Sequence, residues 1–62
     1  MTHWEFLTVV EGTNHSFSVG GVSEPAANIE ALLNKYGELG WDLVTAISHP
    51  PTNTYFLKRQ RA

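Results

Sequence analysis

The side chains that could do chemistry in this chain are three histidines, six carboxylates and two tryptophans. His3, His15 and His49 are far apart in the sequence, and no His–His or His–carboxylate spacing matches a metal site. The chain has no cysteine, so it lacks a thiolate nucleophile, a thiolate zinc ligand and any disulfide. It also lacks the serine and lysine motifs of hydrolases and phosphate-binding loops. We therefore expect a protein that is not an enzyme and that uses no metal or cofactor.

The tryptophans and a basic C-terminal cluster form a pattern that could bind a small molecule. Three of the four positive charges lie after residue 57, whereas all six carboxylates lie at or before Asp42. Indoles offer flat surfaces for stacking, and nearby cations suit an anionic aromatic ligand, nucleotide-like or flavin-like, in a pocket between subunits. The simpler alternative is that both tryptophans pack structurally and that the cations are solvated. The candidate ligand-binding residues are Trp4, Trp41, Tyr55, Lys58, Arg59 and Arg61.

The overall charge and hydropathy limit the other classes of partner. A net charge of −2 argues against a protein that coats nucleic acid, although the basic C-terminus leaves weak nucleic-acid binding as an alternative. No apolar run approaches the ~20 residues of a membrane span. The first residues also lack the basic region of a signal peptide. We expect a cytoplasmic protein with no membrane partner.

The pattern of residue types predicts one domain over residues 1–62, with the element order β-α-β-β. Residues 3–11, 41–48 and 54–60 are rich in β-branched and aromatic types and are predicted to be strands. A right-handed crossover then predicts an α+β fold, with a three-stranded antiparallel sheet in the order 1-3-2 and one helix on one face. Residues 16–19 alternate polar and apolar types and could add a short hairpin strand.

The helix is predicted to start near a serine and to end at a glycine. Ser23 is a suitable N-cap, and Pro25 fits the first turn because its missing N–H costs little there. Gly40 follows the last apolar position and is predicted to take a left-handed backbone conformation. Gly37 lies inside the last turn, which suggests a close backbone contact or an early helix end. The apolar positions that define the helix face are Ile29, Leu32, Leu33, Tyr36 and Leu39.

Three segments carry a resemblance to a known family. They are WEFLTVV in the first strand, LNKYGELGWDLV across the helix end, and YFLKR in the last strand. Together they resemble the small bacterial and phage family catalogued as domain of unknown function 4177, over residues 3–10 and 32–59. The chain departs from that family by a longer segment at residues 12–23. The resemblance implies a fold and brings no catalytic residues.

Both faces of the predicted sheet are largely apolar, which bears on assembly. A single helix about 10 Å wide can cover one face only, and monomers seldom expose a large apolar patch. We therefore expect a homo-oligomer, a dimer or an assembly of dimers, that acts as an interaction or regulatory module. The assignment of residues to the two faces assumes that Ile47 pairs with Thr54. The candidate interface residues on one sheet face are Leu7, Val9, Leu43, Val44, Phe56 and Leu57.

Overall fold

The fold is a five-stranded antiparallel sheet with one helix packed on one of its faces. The computed structural model describes residues 3–61. The spatial order of the strands is β3-β2-β1-β5-β4. The elements are β1 Trp4–Glu11, β2 Phe17–Val19, β3 Val22–Ser23, the helix α1 Ile29–Glu38, β4 Asp42–His49 and β5 Thr52–Gln60.

The α+β class is confirmed, but the predicted three-stranded sheet is wrong. Two short strands, β2 and β3, extend the sheet beyond β1. The alternation at residues 16–19 had indicated β2, whereas the two-residue β3 is too short to leave a pattern in the sequence. Gly20 and Gly21 connect the two strands with φ angles of 58° and 85°, the positive values that a tight hairpin turn requires.

The helix begins later than the sequence predicts. Asn28 is its N-cap, and the side-chain oxygen of Asn28 accepts a hydrogen bond of 2.8 Å from the backbone N–H of Ala31. The predicted cap, Ser23, is wrong because this residue pairs with Ser18 in the sheet. Pro25 consequently lies ahead of the helix rather than in its first turn.

The helix ends as the glycine pattern predicts. Gly40 has a φ of 93°, and its N–H bonds to the carbonyl of Gly37, while the N–H of Trp41 bonds to the carbonyl of Tyr36. This pair of bonds is the Schellman arrangement, in which a left-handed residue satisfies the last helical carbonyls. Gly37 is helical, and a Cβ added there would meet nothing within 4 Å, so the expected close backbone contact is absent.

The core lies between the helix and three strands, β1, β2 and β5. Its buried residues are few, and they come from both layers. Strand β4 extends past the helix, and all eight of its residues are exposed. The sheet is therefore covered on one face over part of its width only. The buried core residues are Val9, Phe17, Val19, Leu32 and Leu57.

A bulge in β4 changes which residues share a face. Ile47 pairs with Thr54, as the sequence register assumed, and Thr45 pairs with Phe56. The register then shifts between Leu43 and Thr45, so that Leu43 lies opposite Leu57 on the helix side. A strict alternation along β4 had placed Leu43 on the same face as Phe56, and that assignment is wrong.

Candidate interaction surfaces

The face of the sheet that the helix leaves uncovered, here called the open face, carries large apolar side chains. Phe6 lies on the central strand β1 and is 73% exposed. Trp4 on the same strand and Ile47 on β4 are also exposed, and Phe56 lies between Thr8 and Thr45. The remaining members follow from the strand register. The open face includes Trp4, Phe6, Thr8, Val10, Ser18, Asp42, Thr45, Ile47, Thr54, Phe56, Lys58 and Gln60.

One end of the open face carries a cation stacked on an indole. The Nζ atom of Lys58 lies 4.5 Å from the centre of the Trp4 ring, within the range of a cation–π contact. Asp42 lies directly opposite Lys58 in the ladder of β4 and β5. Opposite charges at facing positions stabilise a sheet pair. The Nζ atom of Lys58 lies over the Trp4 ring on β1, and no ion pair joins it to Asp42 within the described residues.

A second cation–indole pair lies on the helix side. The guanidinium carbon of Arg59 lies 4.3 Å from the centre of the Trp41 ring. The same guanidinium forms an ion pair with Glu5 and donates a 3.0 Å hydrogen bond to the carbonyl of Leu39, at the helix end. Arg59 thus ties the end of the helix to β1 and packs on the indole that starts β4. Its contacts are structural ones.

The other end of the helix side carries a small polar cluster. Glu11 accepts hydrogen bonds from the Tyr55 hydroxyl at 3.0 Å and from the Asn53 amide at 3.2 Å. Burial, followed by the hydrogen bond to the Glu11 carboxylate, raises the pKa of Tyr55 above its ordinary value. A neutral tyrosine that donates to a carboxylate is neither a base nor a nucleophile at neutral pH, so this cluster fastens β5 to β1.

Another polar cluster connects the segment before the helix to the helix itself. The Glu24 carboxylate accepts hydrogen bonds from the Lys35 ammonium and the Tyr36 hydroxyl, both on the helix. These two donors, with Lys35 the stronger, lower the pKa of Glu24. The hydrogen bond to the Glu24 carboxylate raises the pKa of Tyr36 to about 12. Glu24, which precedes the helix in the sequence, therefore contacts the helix through its side chain.

The six candidate ligand-binding residues do not form one site within the chain. Trp4 and Lys58 lie on the open face, whereas Trp41, Tyr55 and Arg59 lie on the helix side. The side chains of each strand alternate between faces, so neighbours such as Lys58 and Arg59 must separate. Arg61 follows β5, and its backbone N–H donates a hydrogen bond to the carbonyl of His3 at the end of the sheet.

The six candidate interface residues are also divided between the two sides. Leu7, Val9 and Leu57 pack in the core under the helix, so this part of the set is not available to a second copy. Phe56 lies on the open face, and Leu43 and Val44 are exposed on β4. The apolar residues that the set omits are Trp4, Phe6 and Ile47. Val10 on the same face is omitted as well. The sequence shows that each strand has two apolar faces, but not which face the helix covers.

The residue types that could act in catalysis stay apart. His3 precedes β1 and His49 ends β4, and the register places these two residues at opposite ends of the sheet. Among the side chains that the structure describes, which do not include that of His15, there is no group of three His, Cys, Asp or Glu that could hold a metal ion. No pocket opens within the same part of the chain. The expectation that the protein is not an enzyme stays a prediction.

One edge of the sheet is long and uncovered. Within residues 3–61, β4 pairs with β5 alone, so the other side of its backbone points away from the sheet. We call these outward backbone groups of Asp42–His49 the β4 edge. The opposite edge belongs to β3, which has only two residues. The two edges of the sheet are therefore unequal.

Comparison of the chain with protein-family models, with curated proteins and with solved structures gives no match. The resemblance drawn from the glycine–tryptophan segment stays a prediction. Residues 3–61 contain one α-helix of ten residues and a 3-10 turn at Thr13–His15, and neither is long enough to cross a membrane.

Proposed function

We propose that the chain is a small non-enzymatic interaction module that assembles with copies of itself through the open face. The observation that carries this proposal is the exposure of Phe6 on β1, which lies opposite Lys58, diagonal to Phe56 and in line with Trp4. Phe6 is the most exposed of the large apolar side chains on this face, and it lies on a central strand rather than at an edge. Contiguous apolar surface of this kind is typical of an interaction site.

The size and shape of the chain support a partner on this face. It exposes 4478 Å², whereas a compact monomer of this length would expose about 4000 Å². Its radius of gyration is 11.8 Å, against about 10.6 Å for a compact chain of the same length. Among the residues whose burial the structure describes, five are buried in the core. Small domains with so little core commonly gain stability from oligomerisation.

A second copy fits this surface better than a charged partner does. The large side chains of the open face are apolar, and its cation Lys58, which lies opposite Phe6, packs on the Trp4 ring. A twofold axis near Phe56 would bring the apolar side chains of two copies together and keep their two Lys58 side chains apart. A standard interface covers about 800 Å² on each partner, which is less than a fifth of the 4478 Å² exposed here. A dimer or an assembly of dimers follows, and the cytoplasm stays its predicted location.

The test is the mass of the assembled particle in native mass spectrometry and light scattering. Phe6→Lys places a second positive charge opposite Lys58 on the open face and should reduce the mass to that of a smaller particle. Phe6→Thr keeps a strand-forming residue and should weaken the assembly in the same direction. The matched control is Val22→Lys, because Val22 is also exposed but lies opposite Val19 on the helix side. An unchanged mass for both Phe6 variants would contradict the proposal.

The two alternative functions stay predictions with separate tests. A nucleotide-like or flavin-like ligand would copurify as an ultraviolet-absorbing species, and it would need residues from both faces to meet across subunits. Weak nucleic-acid binding through the C-terminal cations would fall steeply with added salt, because counterion release drives such binding. Neither observation is expected from an interaction module alone.

A further inference from the structure

We propose that the β4 edge pairs with the β4 edge of a second copy, antiparallel, so that two sheets join into one. Five strands from each copy would make one sheet of ten, five plus five. This contact is separate from the open face, because it uses backbone groups at the side of the sheet rather than side chains on its surface. It stands whether or not the open face is an interface.

The first support for this pairing is the length and exposure of the edge. β4 runs over eight residues, all of them exposed, and its outward N–H and C=O groups have no partner among residues 3–61. Natural sheets usually shorten, bend, charge or cover such an edge, because a free edge is a template for another strand. The β3 edge is protected by its shortness, whereas the β4 edge is not covered by the helix.

The second support is the composition of β4. Between its two end residues, Asp42 and His49, it contains no charged residue and no proline. The bulge near Val44 disturbs the first part only, and the pairs from Thr45 to His49 keep a regular register with β5. A regular five-residue stretch is therefore free to pair outward. Its exposed Ile47 adds apolar contact on the open face.

The symmetry of antiparallel pairing favours a second copy as the occupant. Two identical strands that pair in this way are related by a twofold axis perpendicular to the sheet, so each face stays on its own side. The end that carries Asp42 then lies beside the end that carries His49 in the other copy. Antiparallel pairing therefore keeps the two Asp42 carboxylates at opposite ends of the joined strands. The open faces of both copies also become continuous.

The two contacts together have a geometric consequence. Each relates two copies by its own twofold axis, one through the open face and one through the β4 edge. If the two axes meet, the assembly closes as a tetramer, and if they do not, it continues as a chain of copies. Disrupting either contact alone should leave a dimer.

The experiment is amide hydrogen exchange of β4 in the Phe6→Lys variant, which removes the contact through the open face. Alternate β4 amides point away from β5, and these should exchange about tenfold more slowly when protein concentration is raised enough to form the paired dimer. Contacts between sheet faces would not protect these amides, since they supply no backbone partner. Failure of this proposal is thereby distinguishable from failure of the open-face proposal.

The variant that tests the edge is Ala46→Lys, combined with Phe6→Lys. Ala46 lies on the helix side of β4, so the new charge leaves the open face unchanged, and a lysine on an edge strand opposes pairing. The double variant should have the mass of one chain, and its outward β4 amides should exchange rapidly. Ala31→Lys, at an exposed helix position, is the matched control and should retain the dimer. Rapid exchange of the outward β4 amides at every concentration in the Phe6→Lys protein would overturn the proposal.

Discussion

Leu43 and Leu57 lie directly opposite each other in the ladder of β4 and β5, yet Leu57 is 1% exposed and Leu43 is 51% exposed. Both side chains point to the helix side. The helix covers β5 and stops short of β4, so one leucine of the pair belongs to the core and the other contacts solvent. The boundary of the core therefore runs between two adjacent strands.

This boundary predicts a large difference between two identical substitutions. Leu57→Ala should lower the free energy of unfolding by about 2–5 kcal/mol, because it removes buried methyl groups and leaves a cavity. That is comparable with the whole stability of a domain of this length, about 3–9 kcal/mol. Leu43→Ala should cost less than about 1 kcal/mol, as expected for an exposed position. Urea unfolding at one fixed protein concentration measures both, and similar midpoints for the two variants would contradict the core boundary.

The two glycines at the helix end should respond to alanine in opposite directions. Gly40→Ala should destabilise the fold by about 1–2 kcal/mol, because a φ of 93° is unfavourable for a residue with a Cβ. Gly37→Ala should stabilise the fold by about 0.5–1 kcal/mol, because Gly37 is helical and nothing lies within 4 Å of the added Cβ. Thermal and urea unfolding of the two variants give the comparison, and two shifts of the same sign would refute this assignment of the helix end.

The start of the helix gives a matched pair of serine and asparagine variants. Asn28→Ala removes the side-chain oxygen that caps the N–H of Ala31 and should cost about 1 kcal/mol. Ser23→Ala, at an exposed position in the short strand β3, should change the free energy of unfolding by less than about 0.5 kcal/mol. Circular dichroism during urea unfolding measures both. A larger loss of stability in the Ser23 variant than in the Asn28 variant would show that Ser23, as the sequence pattern predicts, is the N-cap.

Alkaline pH should weaken the fold through Tyr36. The hydrogen bond to the ionised Glu24 raises the pKa of Tyr36 from 10.0 to about 12. The unfolded chain therefore loses this proton at a lower pH than the folded chain does. The stabilisation that Tyr36 contributes is complete below pH 10 and is lost as the pH rises from about 10 through about 12.

Tyr36→Phe isolates this contribution. Between about pH 10 and about pH 12, the stability of the variant should fall less steeply than that of the parent chain. The pKa of Tyr55 is also raised. Because Tyr55 is present in both proteins, its contribution to the pH dependence is the same in each. Urea midpoints measured at intervals across this range provide the comparison. Parallel slopes for the two proteins would show that the Glu24–Tyr36 bond does not form in solution.

The helix end and the long strands were determined by the sequence itself. Gly40 takes the left-handed conformation that its position after the apolar helix pattern predicts. The β-branched and aromatic runs became β1, β4 and β5, and the alternation at residues 16–19 marked β2. These features depend on the backbone preferences of neighbouring residues, which are present in the sequence whatever the rest of the chain does.

The division of the surface was decided by the tertiary structure alone. Ser23 pairs with Ser18 of β2 and therefore does not cap the helix. The bulge near Val44 places Leu43 on the face opposite to the one that strict alternation predicts. The helix lies over β1, β2 and β5, which separates Trp4 from Trp41 and leaves Phe6 exposed. Each outcome depends on contacts between residues distant in sequence. An alternating apolar pattern shows that a strand has two faces, but only the packed helix determines which one becomes core.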